Sequence, residues 1–161
     1  MLDLDFVPIG PGQLEQLVTL FERNSVAQVT ELFDPFTLDA VQARRIALEL
    51  RRDRFYLALR KQRPVGFSML RGFDEGYVIP SFGIFVDRDS HGEGIGRALT
   101  AWTIEQARAL GCKAVRLTVY AANLPARRLY ESLGFVECER EPVRLAEGHD
   151  EKIVMNLELG G

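Results

Sequence analysis

Phe85-Val86-Asp87-Arg88-Asp89-Ser90-His91-Gly92-Glu93-Gly94-Ile95-Gly96-Arg97-Ala98-Leu99 decides how this chain folds. An apolar run enters three glycines at alternate positions, and a helical pattern follows, with Ile95, Ala98, Leu99, Trp102 and Ala109 on one face. Glycine lets the backbone turn tightly and lets a ligand reach the amides with no Cβ in the way. The first amides of a helix have no internal acceptor, and the helix dipole adds positive charge there, so such a turn suits a phosphate. Two familiar phosphate loops do not fit. A P-loop would continue Gly-Lys-Ser/Thr, but Arg97-Ala98 follows Gly96. A dinucleotide fingerprint read from Gly92 would need its third glycine at Arg97. A bare strand-to-helix link is the other reading of the turn alone.

Outward from the turn, Tyr77–Val86 reads as the strand that feeds it, and Gly111 stops the helix, expected over Ile95–Leu110. Ala114–Val119 is compact and β-branched, a buried strand. Asn123 can cap a helix that accepts Pro125 in its first turn and carries Ala126, Leu129, Tyr130 and Leu133 on its apolar face. Phe135–Cys138 and Ile153–Leu159 form a closing pair joined through Glu147-Gly148-His149-Asp150. Upstream, Asp5–Ile9 reads as a first strand, with Pro8 favouring an edge position. Leu14, Leu17, Val18 and Phe21 mark one helix; Ala43, Ile46, Ala47 and Leu50 mark another, with Thr37 as its cap. Arg54–Arg60 and Pro64–Arg71 make a hairpin. The order is β-α-α-β-β-β-α-β-α-β-β, an α/β (α+β) mixed sheet, largely antiparallel, with one parallel crossover and about four helices.

The 161 residues, 47% hydrophobic and 27% charged, suit a single domain over residues 1–161 with its own core. A net charge of −3 argues against a nucleic-acid partner. No apolar run reaches the length of a membrane span, and the acidic start Met1-Leu2-Asp3 lacks the order of a signal peptide, so the expected compartment is the cytoplasm. Cys112 and Cys138, His91 and His149 do not cluster, so no metal is expected.

The glycine turn resembles the pyrophosphate motif of the GNAT superfamily of N-acetyltransferases, Gln/Arg-x-x-Gly-x-Gly/Ala. His91-Gly92-Glu93-Gly94-Ile95-Gly96 supplies both glycines, with His91 at the usual Gln or Arg position. A second landmark, Asn-x-x-Ala-x-x-x-Tyr-x-x-x-Gly-Phe, is matched by Asn123, Ala126, Tyr130, Gly134 and Phe135. The resemblance extends from about Tyr77 to Phe135 and implies the GNAT fold, acetyl-CoA as cofactor and acetyl transfer to an amine in a ternary complex. It implies that Ile84, Phe85 and Val86 bond the pantetheine arm. His91, Gly92, Glu93, Gly94, Ile95, Gly96 and Arg97 would hold the pyrophosphate. Asn123, Ala126 and Tyr130 would complete the cofactor site, with Tyr130 as general acid to the thiolate. Arg88, Arg97, Arg127 and Arg128 are further phosphate candidates.

The base is less well marked. Many relatives carry a Glu on the strand 77–86, which this chain lacks; Asp74 and Glu75 are the nearest carboxylates, read either as an ordinary charged turn or, in Glu75, as the catalytic candidate, and an amine of modest pKa would need no dedicated side-chain base. Ser81 and Tyr77 could instead orient a water, and His149 is a remoter option. Phe33-Asp34-Pro35-Phe36 and the 72–76 turn are expected to border the acceptor pocket, because loops carry specificity. Arg71–Tyr77 and Ile79-Pro80-Ser81 resemble bacterial members thought to act on amino sugars or other small amines, which implies a small-molecule amine as partner. A protein N-terminus or lysine, and a non-catalytic acyl-CoA-binding module, stay open as alternatives, as does a homodimer, a common state in the family.

Overall fold

The protein is described by a computed structural model over residues 2–33, 35–145 and 148–160; Asp34 and Glu147, named above, lie outside the described residues. Seven strands form one mixed sheet: β1 (Asp5–Pro8), β2 (Arg54–Arg60), β3 (Arg63–Arg71), β4 (Ser81–Val86), β5 (Ala114–Tyr120), β6 (Val136–Leu145) and β7 (Gly148–Glu158). Their spatial order is β1-β2-β3-β4-β5-β7-β6. Every neighbouring pair is antiparallel except β4 and β5, which are parallel. Parallel neighbours need a crossover, and α4 (Ile95–Ala109) supplies it.

The helices α1 (Leu14–Asn24), α2 (Ala27–Thr30) and α3 (Ala40–Leu48) precede β2, and α5 (Leu124–Ser132) follows β5. Among the described residues five α-helices therefore stand where about four were expected; α2 is a single turn, too short for periodicity to reveal. Alternation along the strands sends Phe55, Leu57, Leu59, Phe67, Met69 and Phe85 into a core with α1, α2 and α3. The opposite face, with Ala58 and Val65, meets Ile95 and Leu99 of α4. Ile104 and Ala107, on another side of α4, join the core under β5, β7 and Tyr130. Helix α4 is thus covered on two sides.

Several boundaries differ from expectation, each for a local reason. The strand expected from Tyr77 begins at Ser81; Tyr77, Val78 and Ile79 are exposed and have no strand partner. Asp39, not Thr37, caps α3, accepting the Gln42 amide at 2.8 Å. Leu50 lies beyond the end of α3, where Glu49 turns extended, and is fully exposed rather than part of the helix stripe. The closing pair is a long hairpin, with His149 and Asp150 inside β7 instead of in a loop. The β2–β3 hairpin turns on Lys61 and Gln62, both with positive φ (49° and 68°), matching the two-residue turn that follows strand twist.

Candidate active site

The parallel pair is the origin of the site. β4 and β5 register only at Ser81 and Arg116, where the Arg116 amide donates to the Pro80 carbonyl at 3.0 Å. Beyond that point no ladder joins them, and a cleft of about 830 Å³ opens between them. The Asp87 amide donates to Val65 at 2.8 Å, which sets the alternation along β4. Phe85 and Gly83 therefore bond β3, while the main-chain groups of Ile84 and Val86 point into the cleft. An extended ligand bearing amides could add there as a strand.

At one end of the cleft is the glycine turn. Gly92 and Gly94 adopt φ of 78° and 84°, and Gly94 is the left-handed residue that starts α4. The first helical bond is Ala98 N to Gly94 O, so the amides of Ile95, Gly96 and Arg97 have no helical acceptor. A Cβ placed on Gly92 would meet nothing within 4 Å, so the approach to these amides is open. The cradle fits an anion such as a diphosphate.

The sequence-predicted side chains divide clearly. His91, Gly92, Gly94, Ile95, Gly96, Asn123, Ala126 and Tyr130 line the cleft with Ile84, Phe85 and Val86. Glu93 does not turn inward; its carboxylate is bonded by Arg60 at 2.6 Å. Arg97 reaches Ser132 Oγ at 2.7 Å and so ties α4 to α5, and Arg127 donates to the Ala121 carbonyl at 2.8 Å. Arg88 and Arg128 are exposed. His91 Nε2 sits 3.0 Å from the Val86 carbonyl and, in the Nε2–H tautomer, donates to it.

Tyr130 is 8% exposed, packed edge-on against Phe82 and Phe135. Burial pushes its phenol up to about 12, so it holds its proton at neutral pH. Asn123 caps α5 through the Ala126 amide at 3.4 Å while also lining the cleft, which leaves its two expected uses compatible.

Two carboxylates near the site turn out to hold the chain together. Asp53 accepts the amides of Gly72 (3.0 Å) and Asp74 (3.2 Å), and Asp74 accepts those of Arg52 (2.8 Å) and Asp53 (3.3 Å). Burial raises the Asp53 carboxyl, whereas the Arg52 amide leads in lowering that of Asp74. This reciprocal clamp fixes the 72–76 turn and gives Asp74 a structural duty. Glu75 is left at the cleft mouth, exposed and lining it beside Arg71, Tyr77 and Ser81. His149, on the distant hairpin, does not line the cleft.

Asp87 was missed by the sequence reading. It is 1% exposed and accepts from Arg23 Nε (3.1 Å) and Nη2 (3.0 Å), Asn24 Nδ2 (2.9 Å) and the Asp89 amide (3.2 Å). Burial works to raise its carboxyl, but the bonds from Arg23 and Asn24 outweigh it and hold it below the usual carboxylate range. Asn24 also accepts the Arg88 amide at 2.8 Å. Together these bonds anchor the start of the glycine turn to the end of α1. The only local signal was an acidic residue directly after an apolar run.

The acceptor end is lined by Gln28, Val29, Leu32, Phe33 and Pro35 on one side and by Arg71, Glu75, Tyr77 and Ser81 on the other. Among the described residues no helix is long and apolar enough to cross a membrane, and no group of His, Cys, Asp and Glu could hold a metal.

The sequence profile of the acetyltransferase (GNAT) family matches residues 16–135. The ribosomal protein bS18-alanine N-acetyltransferase of Salmonella typhimurium is 39% identical over 80 residues, 48% of this chain and 54% of that protein. The mycothiol acetyltransferase of Thermomonospora curvata is 36% identical over 104 residues, 62% of this chain and 33% of that protein. The chain thus spans about half the length of the first relative and a third of the second. The Escherichia coli ribosomal-protein-S18-alanine N-acetyltransferase superposes with a TM-score of 0.76 at 21% identity, covering 98% of this chain and 95% of that one. The yncA structure of Salmonella typhimurium, solved with acetyl-CoA, gives 0.75 at 20% identity, covering 98% and 94%. At these identities the two structures show a shared fold.

Proposed function

The chain belongs to the acetyltransferase (GNAT) family, and from that membership we propose that it transfers the acetyl group of acetyl-CoA to the primary amine of a small molecule in a ternary complex. The carrying observation is the cleft that opens past Ser81 and Arg116, with main-chain groups along one wall and the glycine turn at its end. The two amides of a pantetheine arm match the inward groups of Ile84 and Val86, and the diphosphate matches the amides of Ile95, Gly96 and Arg97. The turn's recognition runs through backbone, so His91 in place of Gln or Arg leaves the cradle intact, and Glu93 contributes its main chain alone.

The acetyl thioester supplies the electrophilic carbon. The amine nitrogen attacks it, the C–N bond forms and the C–S bond breaks. A main-chain amide of β4 directed into the cleft donates to the developing oxyanion. Tyr130 gives its phenolic proton to the departing thiolate, which suits a buried phenol held fully protonated at neutral pH. Glu75 takes the proton from the amine through a water that Ser81 and Tyr77 help to hold. Its place as the one carboxylate lining the cleft among the described residues favours it over Asp74, whose oxygens are engaged by Arg52 and Asp53.

The sequence relatives named above include one acting on a ribosomal protein alanine and one on mycothiol chemistry, so the acceptor is argued from this chain's own cleft. Its described acceptor end is walled by α2, Leu32, Phe33, Pro35 and residues between 71 and 81, which suits a small amine; amino sugars fall within that class. We place the protein in the cytoplasm, where acetyl-CoA is made and used, and treat residues 1–161 as one domain.

The test is thiol release from acetyl-CoA across a panel of small amines, with calorimetry of coenzyme A alongside. Amine-dependent release together with measurable coenzyme A binding supports the reading. Binding without release for any amine would favour an acyl-CoA-binding module, and the absence of binding would end the proposal.

A further inference from the structure

Apart from His91, the described residues lining the cleft include one cationic side chain, Arg71, and one carboxylate, Glu75, and both stand at the acceptor end. The diphosphate end has neither, because amides do its work. Arg71 ends β3 opposite Ser81, the residue from which β4 runs inward to Ile84. Its guanidinium lies 5.4 Å from the centre of the Phe36 ring. That ring is itself wedged against Phe21 (6.0 Å), Phe33 (5.7 Å) and Phe67 (6.2 Å). The guanidinium is therefore braced on a rigid aromatic shelf, and a planar fork held this way loses little freedom when it pairs.

No carboxylate among the described residues forms an ion pair with Arg71, although Arg23, Arg51, Arg60, Arg108 and Arg140 all have one. A half-buried guanidinium with an open fork beside an apolar wall is suited to an anion brought by a ligand. The thioester carries no charge, so the anion belongs to the acceptor.

We propose that the acceptor is a small amine carrying a carboxylate, which Arg71 engages bidentately while the amine faces the β4 edge and Glu75. The inference rests on the acetyltransferase reading and narrows its substrate class from any small amine to an amino acid-like one.

The experiment pairs α-, β- and γ-amino acids with their carboxamide twins, which keep size and amine but lose the charge, and follows thiol release from acetyl-CoA. For at least one pair kcat/KM for the acid is expected to exceed that for its carboxamide by about tenfold or more, the usual worth of a charged hydrogen-bond pair. The difference is expected in KM. In Arg71→Met that acid-to-carboxamide ratio falls to about one, and Arg71→Lys, which keeps the charge and loses the fork, gives an intermediate ratio. Release from both twins at equal efficiency in the native protein, or a ratio that survives in Arg71→Met, would overturn this inference and leave the acetyltransferase reading standing. Release with no amine at all would overturn both.

Discussion

In the acetyltransferase reading proposed above, the two ends of the cleft recognise their ligands by different means. At the glycine turn the ligand-facing groups are main-chain amides, set by the backbone of Gly92 and Gly94 and by the first turn of α4. At the acceptor mouth they are side chains, Arg71, Glu75 and Tyr77, on a turn held by the Asp53–Asp74 clamp. Backbone recognition needs glycine at fixed spacing and so leaves a pattern in the sequence. Side-chain recognition can be built from many residues at many positions and leaves none. One fold can thus keep its donor and change its acceptor.

Tyr130 stands between the two ends, and its loss should separate chemistry from binding. Tyr130→Phe is expected to lower kcat by about 10²–10⁴, while calorimetry finds the affinity for acetyl-CoA unaltered. Because burial lifts this phenol to about 12, ionisation of Tyr130 should not depress kcat through pH ~10, where an ordinary tyrosine is half ionised. A basic limb falling at pH ~10 that vanishes in the Phe variant would show the phenol to be unburied in the working enzyme.

The donor end depends on a support that no motif records. Asp87→Ala strips a buried carboxylate from Arg23 and Asn24; Arg23 is part-exposed and keeps Asp89, so the cost should be about 1–3 kcal/mol of stability, read by denaturant unfolding. The folded-state carboxyl lies below its unfolded value, so its contribution is present above the unfolded pKa and lost as pH falls through the folded one. Asp87→Asn should therefore flatten the acid limb of Tm against pH. A limb of unchanged steepness would place the acid sensitivity elsewhere.

What could be read in the chain follows the same division. The strand–turn–helix at 85–99, the Asn123 cap and the Tyr130 helix were legible because their determinants are local: glycine spacing, a cap, a 3.6-residue stripe. Tyr77-Val78-Ile79 read as strand because β-branched and aromatic residues favour one, yet here they are exposed outside the sheet, after a turn clamped by Asp53, 19 and 21 positions from the amides of Gly72 and Asp74 that it accepts. Leu50 kept the helical period while the chain had already left the helix at Glu49. The Asp87 anchor joins residues 63 and 64 apart, and a single sequence carries no signal for such pairing. Arg71 was visible as a charge but not as one without a carboxylate partner among the described residues, since pairing is a property of the fold.

Smaller changes should move different parameters at the two ends. Gly94→Ala puts a Cβ on a residue at φ 84°, a strain of about 1–2 kcal/mol. Relief of that strain would shift the amides, so acetyl-CoA affinity should fall about tenfold. Glu75→Gln should lower kcat about tenfold, less than a buried base would, because solvent reaches the mouth and can take the proton. Its acetyl-CoA affinity should stay put. If the two variants exchange signatures, the boundary between donor and acceptor ends has been drawn in the wrong place.

The smallest expected effect is the sharpest check on backbone recognition. His91 occupies the position where relatives offer a longer polar side chain, and its ring folds back 3.0 Å from the Val86 carbonyl instead of reaching over the amides. A pantetheine amide using that carbonyl must displace the ring, so the ring offers the cofactor one contact and obstructs another. These effects oppose each other, and His91→Ala should change the acetyl-CoA Kd by less than about threefold, well under the tenfold that 1.4 kcal/mol represents. A loss of a hundredfold would mean that the imidazole swings out to hold phosphate. The donor end would then be read by a side chain after all, and the contrast between the two ends would fail where it is most exposed to measurement.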